Sequence, residues 1–265
     1  MRRVVRNYIV PVIVIAGSLL AGGGEEVYKA KCAACHQSYI PMEKLTENFL
    51  EKENKLLKLK APTLNQLSFR LKQQIGDPKG DEEIHRMEVG AFVADYLVHP
   101  DKEKSVCLPG VIKYFDTMPS LKGKISEDEI EAVSNYIYDY EKNLISAKSV
   151  KYQKFEAAAE RAKKEHKIIM VKATSKHCHY CKKMDREVLI DNAVVKALNK
   201  DFVVVSVDIG KDTLPLGLQC SMTPTFFFMD SEQKLIKTIP GAWNKEDFLE
   251  ILNEAKKARI SKEGE

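Results

Sequence analysis

Residues 32–36 of the chain, Cys-Ala-Ala-Cys-His, constrain its fold more than any other stretch. Cys-x-x-Cys-His is the attachment sequence of a c-type haem. The thiols of Cys32 and Cys35 would add across the haem vinyl groups as thioethers, and His36 would ligate the iron. A zinc half-site is the alternative, but a four-ligand site needs a second cluster at matching spacing. The other Cys-x-x-Cys pair lies far downstream, so we predict one covalent haem c with its iron.

The length of 265 residues favours two modest domains over one. A hydrophobic content of 44% and a charged content of 30% are typical of globular protein. The net charge of +4 is small for this length, and no basic stripe is interleaved with aromatic residues. We therefore expect no nucleic-acid partner.

An export signal is predicted for residues 1–24. Three arginines within the first six residues give a positively charged start, and residues 8–21 are an apolar stretch. This stretch is shorter than the roughly 20 residues that a membrane-spanning helix needs. The small residues at 21–24 are a plausible cleavage zone, and an uncleaved membrane tether is the alternative. In both cases we expect a periplasmic location, because covalent haem attachment is expected only after export.

Helices are predicted on both sides of the haem motif. The residues around Tyr28 have helical spacing and predict a short helix that leads into the motif. Residues 43–60 are charged and Leu-rich and predict an amphipathic helix beside the core. Ser126, followed by Glu129, is typical of the capping box that begins a helix.

These helices, the haem motif and Met118-Pro119 in a loop resemble a class I cytochrome c over residues 25–142. The resemblance implies an all-α domain in which Met118 is the second axial ligand of the iron. A neutral thioether ligand raises the potential of the iron. The interval from His36 to Met118 is long for this family, and His99 is a competing ligand. The same interval also contains His85, Met42 and Met87.

A second redox motif follows a predicted linker at residues 143–153. The apolar run at 168–171 predicts a buried strand, which ends shortly before Cys178-His179-Tyr180-Cys181. A Cys-x-x-Cys between a strand and a helix is typical of a redox-active dithiol. The positive end of the helix favours the thiolate of Cys178, and Cys181 is placed to resolve a mixed disulfide. Lys182, and not histidine, follows the pair, so this is not a second haem site.

The alternation of strands and helices around this motif resembles the thioredoxin fold over residues 154–257, with a charged tail at 258–265. The likeness is to periplasmic members found with sulfur oxidation or cytochrome maturation. It implies that Pro224 follows a cis peptide bond and faces the dithiol. It also implies that Thr223 offers backbone hydrogen bonds to a substrate chain. The remaining strands are predicted at 202–207, 223–228 and 234–239, and a closing helix is predicted around Phe248.

Two positions depart from the thioredoxin pattern. His177 stands where many members have tryptophan, and Lys172 stands where many have a buried acid that accepts a proton from the second thiol. The usual proton relay is therefore not predicted. His177 and His179 either supply positive charge near Cys178 or are exposed and without effect.

The sequence therefore predicts a multidomain redox protein, an all-α cytochrome c domain followed by an α/β thioredoxin-fold domain. We expect a thiol–disulfide oxidoreductase that also transfers single electrons. Its expected partners are other periplasmic redox proteins, namely cytochromes and thiol or disulfide proteins. One alternative is an electron-transfer cytochrome whose thioredoxin-like domain is a docking module, and another is a carrier of sulfur compounds on Cys178. Cys107 and Cys220 are either buried free thiols or a disulfide that joins the domains.

Overall fold

The computed structural model describes residues 23–263, with side chains described through residue 259. The predicted export signal lies outside these residues, except for Gly23 and Gly24. The described chain has a helical N-terminal part followed by a part with both helices and strands. Within the described residues, no helix is both long enough and apolar enough to cross a membrane.

Six α-helices form the N-terminal part, and the structure describes no strand between residues 23 and 148. They are α1 (Gly24–Lys31), α2 (Met42–Thr46), α3 (Leu64–Gln74), α4 (Glu82–Val98), α5 (Pro109–Ile112) and α6 (Glu127–Lys148). A π-helical turn, Glu47–Glu51, follows α2 directly. Helices α1, α3 and α4 all pack on α6, which is therefore the central element of this part.

Helix α6 begins at the predicted capping box. The Ser126 hydroxyl accepts a hydrogen bond from the Glu129 amide at 3.2 Å, and the Glu129 carboxylate accepts one from the Ser126 amide at 2.9 Å. Two amides of the first turn thus have partners. One turn further, Val133 and Ile137 are buried and pack against Val27 of α1. This packing places the end of α1, and so the haem motif that follows it, on the core of the helical part.

The predicted amphipathic helix at residues 43–60 is wrong beyond Glu51. Glu53 and Asn54 have backbone φ angles of 49° and 63°, which a right-handed helix does not contain. The buried Asn48 side chain donates a hydrogen bond to the Asn54 side chain at 2.9 Å. The Leu57 amide donates to the Asn48 side chain at 2.8 Å, and the Leu59 amide donates to the Asn54 side chain at 2.9 Å. These bonds offer the backbone an alternative to the helix, so the chain turns there in spite of its leucines.

Helix α6 continues through Lys148, into the range 143–153 that was expected to be a linker. The Lys148 ammonium lies 4.3 Å from the centre of the Tyr39 ring, a contact that holds the last turn of α6 against the helical part. Residues 149–153 remain as the connector between the two parts. Its Val150 is buried, and its Gln153 amide donates a hydrogen bond to the Val204 carbonyl at 2.9 Å.

The C-terminal part contains four strands, four α-helices and a short 3-10 helix, Pro215–Gly217, within the described residues. The strands and α-helices are α7 (Phe155–Glu165), β1 (Ile168–Thr174), α8 (His179–Glu187), α9 (Asn192–Asp201), β2 (Phe202–Asp208), β3 (Thr225–Met229), β4 (Leu235–Pro240) and α10 (Lys245–Glu263). The strand order is β2-β1-β3-β4. Strand β1 is parallel to β2 and antiparallel to β3, and β3 is antiparallel to β4. The predicted charged tail is helical as far as Glu263.

Helices cover both faces of this mixed sheet. Ala158 and Ala162 of α7 are buried against one face, where Val171 of β1 also packs. Met184 of α8 and Phe248 of α10 are buried against the other face. The α/β arrangement predicted for the C-terminal part is thereby confirmed. It brings the end of the central strand β1 to the start of α8, where the second Cys-x-x-Cys pair lies.

Replacing Phe248 with alanine is expected to destabilise the C-terminal part by about 3–5 kcal/mol, the usual range for a buried phenylalanine. Its side chain is fully buried, and its ring centre lies 5.0 Å from that of Phe226. Denaturant unfolding followed by the fluorescence of Trp243, the one tryptophan in the sequence, measures the loss. The exposed Glu250 of the same helix provides the control, because its replacement by alanine should change stability by less than about 0.5 kcal/mol.

Candidate functional site

A disulfide joins Cys178 and Cys181 at the N-terminus of α8, with 5.2 Å between the two Cα atoms. Cys178 is the N-cap residue, and its sulfur accepts a hydrogen bond from the Cys181 amide at 3.0 Å. Cys178 is partly exposed, whereas Cys181 is only 1% exposed. An external thiolate can therefore reach Cys178 but not Cys181. The helix amide and the positive end of α8 both favour negative charge on the Cys178 sulfur.

The loop before β3 lies directly against this sulfur. The Cys178 sulfur lies 3.3 Å from the Thr223 carbonyl oxygen, to which a reduced Cys178 thiol can donate a hydrogen bond. The Thr223–Pro224 peptide bond is cis, as the resemblance implied. The Pro224 carbonyl accepts a hydrogen bond from the Gly241 amide at 2.8 Å, which ties the loop to the end of β4. Four predicted site residues are thus neighbours, while their catalytic roles stay predictions.

The two histidines beside the dithiol are both exposed. His179 is the first residue of α8, and its ring centre lies 5.5 Å from that of Tyr180. Among the described residues, the one hydrogen bond donated to the Cys178 sulfur comes from the backbone of α8, and neither His177 nor His179 forms a hydrogen bond with that sulfur.

Lys172, which stands where many thioredoxins have a buried acid, is itself buried. Its ammonium group forms an ion pair with the carboxylate of Asp185 on α8. Asp185 was not singled out from the sequence. The signal that could have found it is its spacing, since it lies one helical turn after Cys181, on the same face of the predicted helix.

The haem motif follows α1 without a break. The Cys35 and His36 amides donate hydrogen bonds to the Cys32 carbonyl at 3.1 and 2.9 Å. Cys32 is partly buried and Cys35 is exposed, and both are free thiols. The Nδ1 atom of His36 lies 2.7 Å from the Pro62 carbonyl oxygen, and the Tyr28 hydroxyl donates to the His36 carbonyl. Burial lowers the pKa of His36, and the bond to the Pro62 carbonyl partly opposes this shift.

Met118 is partly buried beside the same core as the motif. It packs, like Cys32, on the cluster that contains Val27 and Tyr28. The role of Met118 as an iron ligand stays a prediction. Within residues 23–263, no group of three or more His, Cys, Asp or Glu residues is arranged to hold a metal ion.

The competing histidine ligands, His85 and His99, differ in how many of their ring nitrogens already have hydrogen-bond partners. Both ring nitrogens of the buried His85 have partners, the Tyr138 hydroxyl at 2.9 Å and the Ile75 carbonyl at 3.0 Å. His85 therefore has no nitrogen available for a metal. His99 is exposed, and its Nδ1 lies 3.2 Å from the Asp95 carboxylate.

Cys107 and Cys220 are both free thiols and partly buried. The disulfide between the domains, one of the two alternatives for these residues, is thus not formed in this structure. Burial raises the pKa of Cys107, which disfavours its thiolate.

The two parts of the chain meet at α8. The Arg186 guanidinium lies 3.9 Å from the centre of the Phe69 ring of α3, and its Nη1 lies 3.5 Å from the Glu141 carboxylate of α6. The Arg186 side chain is only 10% exposed. The helix that carries the disulfide therefore also carries the contact with the helical part.

Comparison with known proteins identifies the C-terminal part. Residues 155–256 match the family model described as a thioredoxin-like domain. This part is therefore a thioredoxin-like domain with a Cys178–Cys181 disulfide. The match does not extend to residues 25–142.

The chain belongs to the family of an uncharacterized protein of Aquifex aeolicus (strain VF5). The two are 33% identical over 130 residues, which make up 49% of this chain and 80% of that relative.

Solved structures similar to this chain include a thioredoxin from Thermus thermophilus. It is 27% identical, with a TM-score of 0.35, and the match covers 40% of this chain and 86% of that one. A structure described as DsbH oxidoreductase is 20% identical, with a TM-score of 0.35, over 41% of this chain and 85% of that one. The oxidised C-terminal domain of Neisseria meningitidis DsbD is 21% identical, with a TM-score of 0.33, over 40% and 99%.

Proposed function

We propose that this protein is a thiol–disulfide oxidoreductase that acts through Cys178 and Cys181. The observation that supports it is the position of Cys178, a partly exposed residue at the N-terminus of α8 whose sulfur lies 3.3 Å from the Thr223 carbonyl oxygen. Negative charge on a sulfur atom is favoured there by the helix dipole and by the Cys181 amide. A nucleophile needs this environment, and a merely structural disulfide does not.

In the reduced protein, the Cys178 thiolate attacks one sulfur of a partner disulfide. A mixed disulfide forms at Cys178, the partner's disulfide bond breaks, and one partner thiolate leaves and takes up a proton. The Cys181 thiolate then attacks the Cys178 sulfur, which closes the Cys178–Cys181 bond and releases the second partner thiol. The partner gains two electrons and two protons, and the protein loses them. The backbone of Thr223 is available to hold the partner's chain beside Cys178.

Reduction of insulin by dithiothreitol, measured with and without the purified full chain, tests this proposal. Acceleration of insulin precipitation is expected, since insulin presents accessible disulfides to Cys178. The same assay decides against the alternative that the thioredoxin-like domain only docks the protein to a partner. A chain that leaves the reaction at its uncatalysed rate with insulin and with oxidised glutathione would contradict the proposal.

We further propose that the helical part carries a covalent haem c. The supporting observation is the 2.7 Å contact between His36 Nδ1 and the Pro62 carbonyl. Because a carbonyl only accepts hydrogen bonds, Nδ1 carries the proton, and the lone pair of Nε2 is left for a metal. Burial favours the neutral ring that a ligand must have.

The residues that would hold the haem are Cys32 and Cys35, through their thiols, and His36 and Met118, as ligands of its iron. When bound, such a haem supplies one-electron transfer at its iron. The chain's own residues orient the ligand: the Pro62 carbonyl sets the His36 tautomer, and the Tyr28 hydroxyl holds the His36 backbone. Production in a host that matures c-type cytochromes, followed by a pyridine haemochrome spectrum, tests this proposal.

We propose a periplasmic location, with other redox proteins as partners: cytochromes, and thiol or disulfide proteins. The basis is the sequence of residues 1–24 and the haem motif, which is expected to be loaded after export. Cell fractionation and the mass of the N-terminal peptide are the measurements that test this location. A mature protein that begins near residue 24 indicates cleavage, and an intact N-terminus in the membrane fraction indicates a tether. Retention in the cytoplasm would contradict the proposed location.

A further inference from the structure

A charged side chain lies in the apolar core behind the dithiol. Alternate residues of β1 face the same side of the sheet, and Ile168 and Met170 pack there with Met184 of α8. Lys172 is the next residue on this face, and it is only 2% exposed. An unpaired ammonium group in such a place would be strongly unfavourable. Lys172 therefore needs an anionic partner on the elements packed over β1.

That partner is Asp185, one helical turn from the buried thiol. Its carboxylate pairs with the Lys172 ammonium group, and its side chain is 25% exposed. Residues Cys181 and Asp185 are four apart in α8, a spacing that puts their Cβ atoms about 5–6 Å apart on one face. The Asp185 side chain is thus partly accessible to solvent, whereas the Cys181 thiol one turn before it is not.

Tyr152 of the connector also contacts the Lys172 ammonium group. The Lys172 ammonium lies 5.7 Å from the centre of the Tyr152 ring. The Tyr152 hydroxyl oxygen is buried and has no hydrogen-bond partner among the described residues. Burial and the neighbouring Asp185 carboxylate both raise the pKa of Tyr152, so its hydroxyl stays protonated. Tyr152 therefore adds bulk and excludes water without adding charge.

We propose that Asp185 is the proton acceptor for the Cys181 thiol in the resolving step, with Lys172 as the counter-ion of both groups. This inference rests on the proposed oxidoreductase function. In the mixed disulfide, the S–H bond of Cys181 breaks and its proton passes to the Asp185 carboxylate. The Cys181 thiolate then forms the bond to Cys178 and the partner thiolate leaves. Asp185 returns the proton to the leaving thiolate or to solvent.

Lys172 makes this proton transfer feasible in a buried place. Before the transfer the negative charge is on Asp185, and afterwards it is on the Cys181 sulfur. The cluster contains the Lys172 ammonium group in both states, so the transfer leaves its net charge unchanged. A transfer that changed the net charge would carry the desolvation penalty of an unpaired ion.

Few other ionisable groups face the pair. Tyr152 approaches from the connector, while the β2 and β3 residues that pair with Lys172 are Ser206 and Phe226, which are uncharged at all relevant pH. The core residues of α9 and α10 that pack on this face are apolar. The next residue of α8, Arg186, points to Glu141 and Phe69 of the helical part. Asp185 is therefore the anionic side chain on this face that is available to take the proton of Cys181.

The test separates the two steps of the exchange in the full chain. The reduced protein is mixed with oxidised glutathione and quenched with acid at successive times, and peptide mapping measures the glutathione adduct on Cys178. The appearance of the adduct measures the attack by Cys178, and its disappearance measures the resolution by Cys181. Asp185→Asn is the first variant, and Asp201→Asn is its matched control, since Asp201 pairs with Lys256 at 2.8 Å on α9 and α10.

In Asp185→Asn we expect the adduct to appear at the parent rate and to disappear about 100-fold more slowly near neutral pH, a usual contribution of proton transfer to a rate. The difference should shrink in alkaline solution, where hydroxide replaces the Asp185 carboxylate as the base. The control Asp201→Asn should behave as the parent, and Asp185→Glu should recover most of the rate.

A second variant separates the loss of the proton acceptor from an effect on folding, because Asp185→Asn leaves Lys172 buried without its ion-pair partner. The pair Lys172→Met with Asp185→Leu removes both charges, a change that buried ion pairs often tolerate. The same slow, pH-dependent resolution is expected. Resolution at the parent rate in this double variant would overturn the role of Asp185. A parent chain that never forms the Cys178 adduct would instead overturn the proposed oxidoreductase function, and this inference with it.

Discussion

Replacing Cys178 with serine is expected to abolish disulfide exchange, with a loss on the order of 1000-fold or more, as for the removal of a nucleophile. The reason is geometric: Cys178 is partly exposed, whereas Cys181 is 1% exposed and cannot meet a partner disulfide. Serine keeps the size of the side chain and its place at the N-terminus of α8. The rate of insulin reduction by dithiothreitol is the measurement.

Two further variants make this result specific. Cys220→Ser changes a partly buried free thiol in the same domain and should leave the rate unchanged. Cys181→Ser should still attack a partner disulfide but should keep the partner attached to Cys178, where a nonreducing gel detects it. If Cys178→Ser retained the parent rate, or if Cys181→Ser captured no partner, the assigned order of the two thiols would be wrong.

Replacing Cys32 and Cys35 together with alanine is expected to eliminate covalent haem completely, the largest effect predicted for the helical part. No other thiol is suitably placed, because within the described residues the remaining free thiols are the isolated Cys107 and Cys220. The parent produced in a maturation-competent host should show a pyridine haemochrome spectrum and a haem-modified peptide that contains His36. The double variant should show neither.

The matched control is Cys107→Ala, which removes a partly buried thiol of the same helical part and should leave the haem content unchanged. A colourless parent with unmodified Cys32 and Cys35 would contradict the haem proposal. Metal analysis of that colourless protein would then test the zinc alternative. Met118→Ala should keep the covalent haem but change its absorption spectrum, whereas the same change at the exposed Met87 should not.

The strands of the C-terminal part could be predicted because their apolar runs are long and uninterrupted. Residues 168–171 of the central strand β1 pair in register with residues 202–205 of the parallel strand β2, and helices cover both faces of the sheet. The cis bond before Pro224 could be predicted from the resemblance, together with the dithiol. The end of the predicted helix at 43–60 could not, because it depends on hydrogen bonds from the Asn48 and Asn54 side chains to each other and to the backbone, which a hydrophobic pattern does not contain.

Helix α4 was missed although its signals are present in the sequence. The Asp81 side chain accepts hydrogen bonds from the Glu83 and Ile84 amides, as an N-cap does. Its buried residues include Val89, Val93 and Leu97, spaced four apart. These residues indicate a helix without any tertiary information.

The cluster of charged and polar residues behind the dithiol, unlike α4, has no signal in the sequence that would assemble it. Lys172, Asp185 and Tyr152 come from a strand, a helix and the connector, and only the fold brings them together. Lys172 alone was noticed, as a departure from the thioredoxin pattern. Its partner could not be assigned, because the sequence does not say which carboxylate lies opposite a given strand residue.

The connector has a practical consequence for dissecting this protein. The family match begins at residue 155, which invites expression of the C-terminal half from that point. Such a fragment would lack Tyr152, so water would gain access to the Lys172 ammonium group, and Arg186 would lose Phe69. Measurements on the isolated C-terminal half would therefore describe a redox centre that is more accessible to water. The reduction potential of the dithiol has to be determined on the full-length chain.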